Sequence, residues 1–475
     1  MKYRSLGWLT GLGFAVSAAA CGDDVVPSAG PGTDGGVGDA GDSGPVADGQ
    51  AEGDSGPVIK PGPPGTLDTK FGKDGVASWP LPATAAPQSS IDTIKATTQP
   101  DGKVLFAFAG RNTTNIFVTR LDETGQVDPS FGAGGTQTTS VVPGGVGTSF
   151  VTGIFLQPDG KVLVAGAVSP TLATQTSSPK YSMVVARYLP TGTLDGSFNS
   201  GGVFATKIST SDAFGSIALQ PDGKILLGGA CFDGTAANIC ILRLSSSGTR
   251  DSSFGTDGLA STSLVNDSPE SVQDLRVLSD GRILAAVSTS VPTNVGSSRS
   301  YMAIRYESDG AVDGTFGTGG TLTTRFDTAN RSNDQLSALL LQADGSFVLA
   351  GNHELTEIPA VRSFGFTKVT ANGSLDTSYG LAGYLTLDPG ETVFVPRAVS
   401  SGSDVVSLGV HGGTSVRTWL TRAKSTGVVD ATFGKQGFTK VFEGQFPVDL
   451  ARPVSQRAHV VGIGPTSVSV LRVWL

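Results

Sequence analysis

Two histidines and two carboxylates are the residues of this chain whose types and spacing could hold a metal ion. His353 and His411 fall at matching places in neighbouring copies of a sequence repeat, and Glu354 and Glu357 lie close to the first of them. Two imidazoles and one carboxylate form a recognised ligand set for transition metals. Two surface histidines that match by chance explain the same pattern, and we favour that interpretation. We therefore predict a candidate binding face at these four residues, with no metal and no cofactor.

Motifs for catalysis are missing from the sequence. The chain has three histidines, and it lacks a Gly-x-Ser-x-Gly motif, a cysteine cluster, a phosphate-binding loop and a His-Glu-x-x-His motif. A hydrolase would have to use carboxylates, and no pair of them stands out. We predict no catalytic residues and expect a binding or scaffolding protein. The alternatives are an exported, carboxylate-dependent, carbohydrate-active enzyme and a structural envelope protein without a specific ligand.

Residues 1–20 have the features of a signal peptide. Lys2 and Arg4 precede an apolar stretch that is too short to span a membrane, and small residues lead to Cys21. Ala18-Ala19-Ala20-Cys21 is similar to a bacterial lipobox, in which the cysteine is lipidated, although Ala18 replaces the usual leucine. Cleavage without lipidation would leave Cys21 free. We favour lipidation, and hence a membrane anchor, because the segment that follows makes sense as a tether.

Residues 21–64 are predicted to form a disordered tether. They are rich in Gly, Pro, Asp and Ser and lack aromatic residues, so they cannot bury enough apolar surface to fold. Within them, residues 58–60 (Val-Ile-Lys) could add one strand. Residues 22–64 carry eight acids and one lysine, whereas the whole chain carries a net charge of −8. The remainder is close to neutral and has no electrostatic footprint for nucleic acid, so we expect no nucleic-acid partner.

Two further cysteines, Cys231 and Cys240, flank one predicted hairpin loop. In an exported protein, such a pair is typical of a disulfide that closes the loop. Two buried thiols are the alternative.

One phrase, Gly-x-x-Asp-x-x-aromatic-x-x-x-Gly, recurs along residues 65–475. Its copies begin at Gly65, Gly125, Gly192, Gly248, Gly310, Gly373 and Gly427. Each unit also contains short runs that are typical of strands; in the third unit these are residues 203–207, 216–220, 225–229 and 239–244. Seven units of four strands predict an all-β fold, a seven-bladed β-propeller of four-stranded antiparallel blades. The signal peptide and the disordered linker would precede it.

A Pro-Asp-Gly turn is predicted to join the second and third runs of each unit in a tight hairpin. It is complete at residues 100–102, 158–160 and 221–223. It degenerates to residues 400–403 in the sixth unit and has no clear equivalent near residues 454–459 in the seventh. The sequence signal for a blade is therefore weakest in the last two units.

A cation stands eight residues before the repeated aspartate. The pairs are Arg120 and Asp128, Arg187 and Asp195, Arg243 and Asp251, Arg305 and Asp313, Lys368 and Asp376, and Arg422 and Asp430. The last cation, Arg472, has no aspartate after it, and the first aspartate, Asp68, has no strand before it. Ring closure would bring these two together. We predict a structural clasp; a ring of ligand-binding charges is the alternative. The repeated aromatic residues are predicted to be wedges between blades.

Leu-Asp-x-x-Phe-Gly, Gln-Pro-Asp-Gly-Lys-Ile-Leu and the Arg-Tyr or Arg-Leu pair that ends the fourth run resemble the delta-60 repeat. The resemblance covers residues 65–475 and implies a bacterial β-propeller of a kind found in exported, often lipidated, proteins. It implies no catalytic residue.

Loops of variable length indicate the expected working surface. In a four-stranded meander, successive loops leave from opposite ends. The turns and phrases on one end hardly vary, whereas loops 1–2 and 3–4 vary, with the longest insertions at residues 169–181, 289–300 and 352–363. Such loops on a rigid scaffold often bind ligands; drift without function is the alternative. We expect a monomeric outer-membrane lipoprotein, facing the periplasm or the cell surface, that binds a cell-envelope protein or glycan.

Overall fold

Four-stranded antiparallel sheets make up the protein, as the repeat predicts. The structure is a computed structural model that describes residues 61–81, 94–109, 114–141, 147–169, 181–208, 211–232, 237–263, 271–293, 296–327, 332–355, 361–412, 416–443, 446–464 and 466–475. Within these ranges the chain forms seven such sheets, which are the blades of a β-propeller. The predicted signal peptide, Cys21, the tether and the possible strand at residues 58–60 lie outside the described residues.

The strands follow one another around the ring. Blade 1 contains β2 Ile94–Thr98, β3 Val104–Ala109, β4 Asn115–Leu121 and β5 Thr136–Ser140. Blade 2 contains β6 Thr148–Leu156, β7 Val162–Ser169, β8 Ser182–Tyr188 and β9 Val203–Thr206. Blade 3 contains β10 Ser211–Leu219, β11 Ile225–Phe232, β12 Ala237–Leu244 and β13 Leu259–Thr262. Blade 4 contains β14 Ser271–Val277, β15 Ile283–Thr293, β16 Gly296–Tyr306 and β17 Thr321–Thr324.

The remaining strands complete the ring. Blade 5 contains β18 Gln335–Leu341, β19 Phe347–Leu355, β20 Val361–Val369 and β21 Tyr384–Leu387. Blade 6 contains β22 Phe394–Ser401, β23 Asp404–His411, β24 Arg417–Ala423 and β25 Phe438–Glu443. Blade 7 contains β26 Phe446–Val454, β27 Arg457–Ile463 and β28 Ser467–Trp474, and its outermost strand is β1 Val76–Pro80.

The boundaries of the blades differ from those of the sequence repeats. The first run of each repeat is the outermost strand of the preceding blade: β9 pairs with β8 in blade 2 and not with β10. The phrase is therefore the loop between the third and fourth strands of one blade. Its tight turn brings the chain back along the third strand, so the fourth strand pairs there before the chain crosses to the next blade. The assignment of four consecutive runs to one blade is therefore corrected by one strand.

The turns of the last two blades form despite their weak sequence signal. Blade 6 closes its first hairpin between Ser401 and Asp404 through Gly402, whose φ is 61°. Blade 7 uses Ser455 and Gln456, with φ angles of 51° and 60°. Two successive residues with positive φ match the twist of a two-residue hairpin, so backbone geometry replaces the Pro-Asp-Gly sequence.

The hydrophobic core lies between the blades. The innermost strand β2 is buried at every residue. One core cluster joins Leu226 and Ile241 of blade 3 to Leu275 and Ile283 of blade 4, and such contacts recur around the ring. The inner strands of each blade are covered on both faces, as β3 is at every residue, whereas outermost strands such as β5 and β9 are partly exposed. No helix able to cross a membrane occurs in the residues that the structure describes.

Candidate functional site

Each predicted cation–aspartate pair lies within one blade, and in five blades the arginine also reaches the next blade. In blade 1, Arg120 Nε donates to Asp128 Oδ2 at 2.9 Å. Its Nη2 donates to Ser130 Oγ at 2.9 Å, and its Nη1 donates to the carbonyl of Pro190 in blade 2 at 2.8 Å. We call this arrangement the latch: a strand arginine, the phrase aspartate, the hydroxyl two residues later and a carbonyl of the next blade.

The latch recurs around the ring. Arginine also reaches the carbonyl of the next blade in four further places: Arg187 to Ser246, Arg243 to Ser308, Arg305 to Ala371, and Arg472 to Glu123. At the closure of the ring, Arg472 Nε lies 2.8 Å from Asp68 Oδ2. In blade 6, Arg422 Nε donates to Asp430 at 2.6 Å, and in blade 5 Lys368 Nζ lies 3.3 Å from Asp376.

The repeated aromatic residue packs between its own arginine and the next blade. The guanidinium carbon of Arg187 lies 4.6 Å from the centre of the Phe198 ring. On its other side, the ring covers Gly248 of blade 3: a Cβ added to this glycine would lie 2.6 Å from the ring. This contact explains why the phrase begins with glycine.

A second cation on the phrase aspartate was not predicted from the sequence. Lys103 Nζ lies 3.3 Å from Asp128, and Lys161 and Lys224 make the same contact in blades 2 and 3. Arg282 does so in blade 4. The signal was available, because a lysine or arginine follows the Asp-Gly of the turn in these four units.

The latch aspartates of blades 1 to 6 are held in their ionised form. Burial raises the pKa of Asp128. Hydrogen bonds from Ser130, a bond from Lys103 and the charge of Arg120 lower it more strongly, so that the pKa falls to about 2. The pKa values of Asp195 and Asp430 are also lowered to about 2. A carboxylate that is ionised and already bonded supports the blade junction and is unsuited to donating a proton.

The propeller therefore has two unlike ends. The turn face carries the hairpins between first and second strands and the phrase loops; the contact of Lys103 with Asp128 shows that these lie together. The hairpin face carries the hairpins between second and third strands and the links between blades. Its hairpins differ in length: β15 and β16 have 11 residues each, whereas β3 has 6.

The predicted insertions lie on the hairpin face. Residues 289–300 extend the β15–β16 hairpin, in which Thr289 pairs with Ser300. Residues 352–363 extend the β19–β20 hairpin, in which His353 pairs with Ser363. Residues 170–180 of the third insertion lie outside the described ranges, as does Glu357.

His353 and Glu354 belong to a polar network at the base of the β19–β20 hairpin. His353 Nδ1 lies 2.7 Å from Oδ1 of the fully buried Asp334, and its ring stacks on Phe326 with centroids 5.0 Å apart. Glu354 accepts hydrogen bonds from Arg362 Nε at 2.9 Å and from Asn333 Nδ2 at 2.8 Å. The network fixes the hairpin to the link that precedes blade 5.

His411 belongs to a separate network in blade 6. Its Nδ1 lies 2.8 Å from the carbonyl of Thr392, and 3.7 Å from Glu391 Oε2. Glu391 is held by Arg417 Nη2 at 2.6 Å and by Trp419 Nε1 at 2.6 Å. Each histidine thus has its own carboxylate, Asp334 or Glu391. Each acid lies in the link before its blade, far from its histidine along the chain. The sequence pattern alone therefore could not pair them.

Those of the four candidate residues that the structure describes form no metal centre. In the described part of the chain, no three His, Cys, Asp or Glu side chains are arranged to hold a metal ion. The third histidine, His459, is buried in blade 7, where its Nδ1 lies 3.0 Å from Thr98 Oγ1. Burial, together with the charges of Arg472 and Arg457, lowers the pKa of His459 to about 3, so it is neutral near pH 7.

Cys231 and Cys240 form a disulfide between the neighbouring strands β11 and β12. Their Cα atoms are 5.8 Å apart, and both residues are buried. The bond lies at the base of the hairpin whose tip, residues 233–236, is outside the described ranges.

Charged residues on the innermost strands make further contacts that the sequence analysis missed. Asp449 Oδ2 of blade 7 accepts a hydrogen bond from Ala96 N of blade 1 at 2.7 Å, and Arg397 Nε of blade 6 lies 3.4 Å from Asp449 Oδ1. Asp274 of blade 4 similarly accepts from Leu339 N of blade 5 at 2.7 Å. These residues connect adjacent blades near the axis. They do not repeat in every blade, and for that reason no sequence pattern marked them.

Comparisons with known proteins agree with this architecture. A family model described as "Domain of unknown function (DUF5122) beta-propeller" matches residues 99–131, 157–198, 220–254 and 278–316. Each match runs from the turn after a first strand to the latch aromatic of the same blade. No curated protein sequence matches the chain.

Solved structures are similar in fold. A PL25 ulvan lyase, a polysaccharide lyase, shares 10% sequence identity, with a TM-score of 0.50, over 87% of this chain and 96% of its own. A structure of PL25 ulvan lyase bound to a -[GlcA(1-4)Rha3S]- saccharide has the same identity and TM-score over 84% and 94%. The polysaccharide lyase Uly1 has 11% identity and a TM-score of 0.46 over 82% and 92%. The chain is thus a seven-bladed β-propeller, and four of its blades match a propeller family commonly called the delta-60 repeat.

Proposed function

We propose that this protein is an extracytoplasmic binding or scaffolding propeller that is tethered to a bacterial membrane and binds a cell-envelope protein or glycan on its hairpin face. One observation carries the proposal. The turn face is occupied by a latch that repeats at the blade junctions, whereas the hairpin face carries hairpins of different lengths with polar networks that do not repeat. Irregular loops on a rigid scaffold are common binding surfaces.

The networks of blades 5 and 6 supply polar chemistry suited to such a surface. Arg362 is 41% exposed and Arg417 is 36% exposed at the side chain, although each is bonded to a more buried glutamate. Trp419 and Arg417 both donate to the carboxylate of Glu391. Arginine and tryptophan are enriched where proteins bind partners, because they combine large contact area with directional donors.

The alternative, a carboxylate-dependent carbohydrate-active enzyme, has less support. The lyases named above share only the fold with this chain. Glu354 and Glu391 are each bonded to an arginine and a second donor. Neither is presented to a substrate as a free acid or base, which favours binding over catalysis.

Shortening the β15–β16 hairpin, whose strands have 11 residues each, tests the proposed face. In the full chain, residues 291–298 are replaced by Asn-Gly, which favours a two-residue turn. This turn would connect Ser290 to Arg299, its partner in the hairpin. Binding to a glycan array and to envelope proteins identified by mass spectrometry is compared with that of the unaltered chain. We expect the shortened chain to lose the partners that the unaltered chain binds.

A control on the opposite end makes the result specific. The exposed Glu307 lies on the turn face, and the variant Glu307→Lys should keep those partners. Equal binding by the shortened chain, or loss in the control alone, would refute the assignment to the hairpin face.

A further inference from the structure

Blade 5 departs from the latch at three positions. Lys368 stands where the six other blades have arginine, Ser346 stands where blades 1–4 have a turn lysine or arginine, and Tyr379 stands where the other phrases have phenylalanine. Lysine is a single charged point on a flexible stem, whereas arginine presents a planar fork of donors. Blade 5 therefore lacks the group that fills the latch elsewhere.

The phrase aspartate of blade 5 has lost one of its cations. In six blades this carboxylate contacts two: Lys103 and Arg120, Lys161 and Arg187, Lys224 and Arg243, Arg282 and Arg305, Arg422 and Lys424, and Arg457 and Arg472. Among the described residues, Asp376 contacts Lys368 alone. Its side chain is 20% exposed, compared with 1% for Asp313 in blade 4.

The missing guanidinium leaves a cavity between blades 5 and 6. It has a volume of about 490 Å³, and its lining includes Asp344, Lys368, Asp376, Ser378, Tyr379 and Ser425. Ser378 corresponds to Ser130 of blade 1, whose hydroxyl accepts from Arg120, and Ser425 precedes Gly427 by two residues, as Pro190 precedes Gly192. The acceptors that bind a guanidinium in blade 1 are thus present here, while the one ion pair that Lys368 makes within the described ranges is with Asp376.

Tyr379 adds a polar atom that has no partner. Its side chain is 1% exposed, and its hydroxyl is buried without a hydrogen bond. Burial raises the pKa of this hydroxyl, so it remains protonated and polar. An unpaired buried hydroxyl costs free energy, and the phenylalanines at the equivalent positions carry no hydroxyl. At the other junctions the arginine lies on the aromatic ring, as Arg305 does on Phe316 at 4.8 Å.

We propose that the cavity between blades 5 and 6 is a binding site for a guanidinium group, specifically the side chain of an arginine on a partner protein. Asp376 and Asp344 supply negative charge, Ser378 and the carbonyl of Ser425 supply acceptors, and Tyr379 supplies an aromatic ring. An incoming arginine would make the bonds that Arg305 makes in blade 4. A set of three separate acceptors, one of them charged, matches the planar fork of guanidinium donors and selects guanidinium over ammonium. The site is on the turn face and is independent of the proposed function of the hairpin face.

Binding of small probes to the full chain tests the proposal. Nα-acetyl-arginine amide, Nα-acetyl-lysine amide and Nα-acetyl-citrulline amide are titrated separately by calorimetry at low ionic strength. Citrulline has the shape of arginine without its charge. We expect the arginine probe to bind, the lysine probe to bind more weakly, and the citrulline probe not to bind.

One substitution fills the site with the protein's own guanidinium. Lys368→Arg restores the residue found in the six other blades, so the chain should fold at least as stably and lose affinity for the arginine probe by about tenfold or more, since a charge-assisted hydrogen bond contributes about 1.5–3 kcal/mol. Lys161→Arg is the matched control in blade 2, and it should leave binding unchanged.

Three results would overturn the proposal. These are no binding of the arginine probe to the unaltered chain, equal binding of the citrulline probe, and full binding by Lys368→Arg. Circular dichroism of each variant establishes that a loss of binding does not reflect loss of the fold.

Discussion

Arg472 Nε lies 2.8 Å from Asp68 Oδ2, which joins the last β-strand of the chain to the loop before the first. The same arginine donates to the carbonyl of Glu123 in blade 1. Strand β1 then pairs with β28, from Val76 opposite Leu471 to Pro80 opposite Ser467. The ring is therefore closed in two ways: by the latch that joins its other blades, and by strand β1 from the start of the propeller, which completes the last blade.

Arg187→Lys is predicted to destabilise the propeller through the junction of blades 2 and 3. Lysine can keep the ion pair with Asp195, but it cannot also donate to Ser246 and Ser197 as Arg187 does. We expect the free energy of unfolding in urea to fall by about 1–3 kcal/mol. Arg250→Lys changes an exposed ion pair with Asp257 and should cost less than about 0.5 kcal/mol. Equal losses in the two variants would contradict a latch role.

Gly248→Ala is predicted to separate blades 3 and 2. The new methyl group would lie 2.6 Å from the Phe198 ring, and the φ of Gly248 is 86°. Gly134→Ala is the matched control, because its φ is 64° and a Cβ there meets nothing within 4 Å. Both variants carry the strain of positive φ. Gly248→Ala should lose about 1–3 kcal/mol more through overpacking, as measured by thermal unfolding, and similar melting temperatures would refute the wedge.

His459→Leu is predicted to reduce the sensitivity of the fold to mild acid. The pKa of His459 is lowered from 6.5 to about 3 in the folded chain, so between these values the unfolded chain binds a proton that the folded chain does not. This contribution to stability is complete above pH 6.5 and is lost as the pH falls. Between pH 7.5 and 5, the unaltered chain should lose about 2 kcal/mol more than the variant.

Leucine is a suitable replacement because it occupies the equivalent position opposite the latch arginine in blades 1–4, as Leu105 does opposite Arg120. The latch aspartate of blade 1 titrates in a lower pH window: the pKa of Asp128 falls from 3.8 to about 2, so its contribution persists above pH 3.8. Identical slopes of unfolding free energy against pH for the two chains would exclude His459 as the source.

Cys21→Ser is predicted to abolish membrane anchoring. If Cys21 is lipidated, the full chain should incorporate labelled palmitate and sediment with membranes, whereas the variant should do neither. The double variant Cys231→Ser with Cys240→Ser is the control, since it removes the other two cysteines and should keep the label. Labelling of Cys21→Ser at the level of the unaltered chain would rule out the anchor.

The repeat predicts the fold because its signals are local. Glycine, aspartate and the aromatic residue recur within one short loop, where each has a fixed conformational role. Gly248 needs positive φ and the absence of a side chain, and Asp195 bonds the residues directly after it. The polar networks of the hairpin face were not predicted in full, because His353 lies on strand β19 and its partner Asp334 lies in the link before strand β18, so that only the folded blade brings them together.

The sequence by itself determined the number of blades and the cation–aspartate spacing, since both follow from a pattern repeated at short range. It also predicted the closure of the ring, from the cation and the aspartate that the repeat leaves unmatched at its two ends. Only the tertiary structure decided where one blade ends and the next begins, because strand pairing and not sequence order places β9 beside β8. It also decided that Arg120 reaches Pro190 of the next blade. Only the tertiary structure shows the effect of lysine in place of arginine at position 368, because the missing guanidinium leaves a cavity where blades 5 and 6 pack against each other.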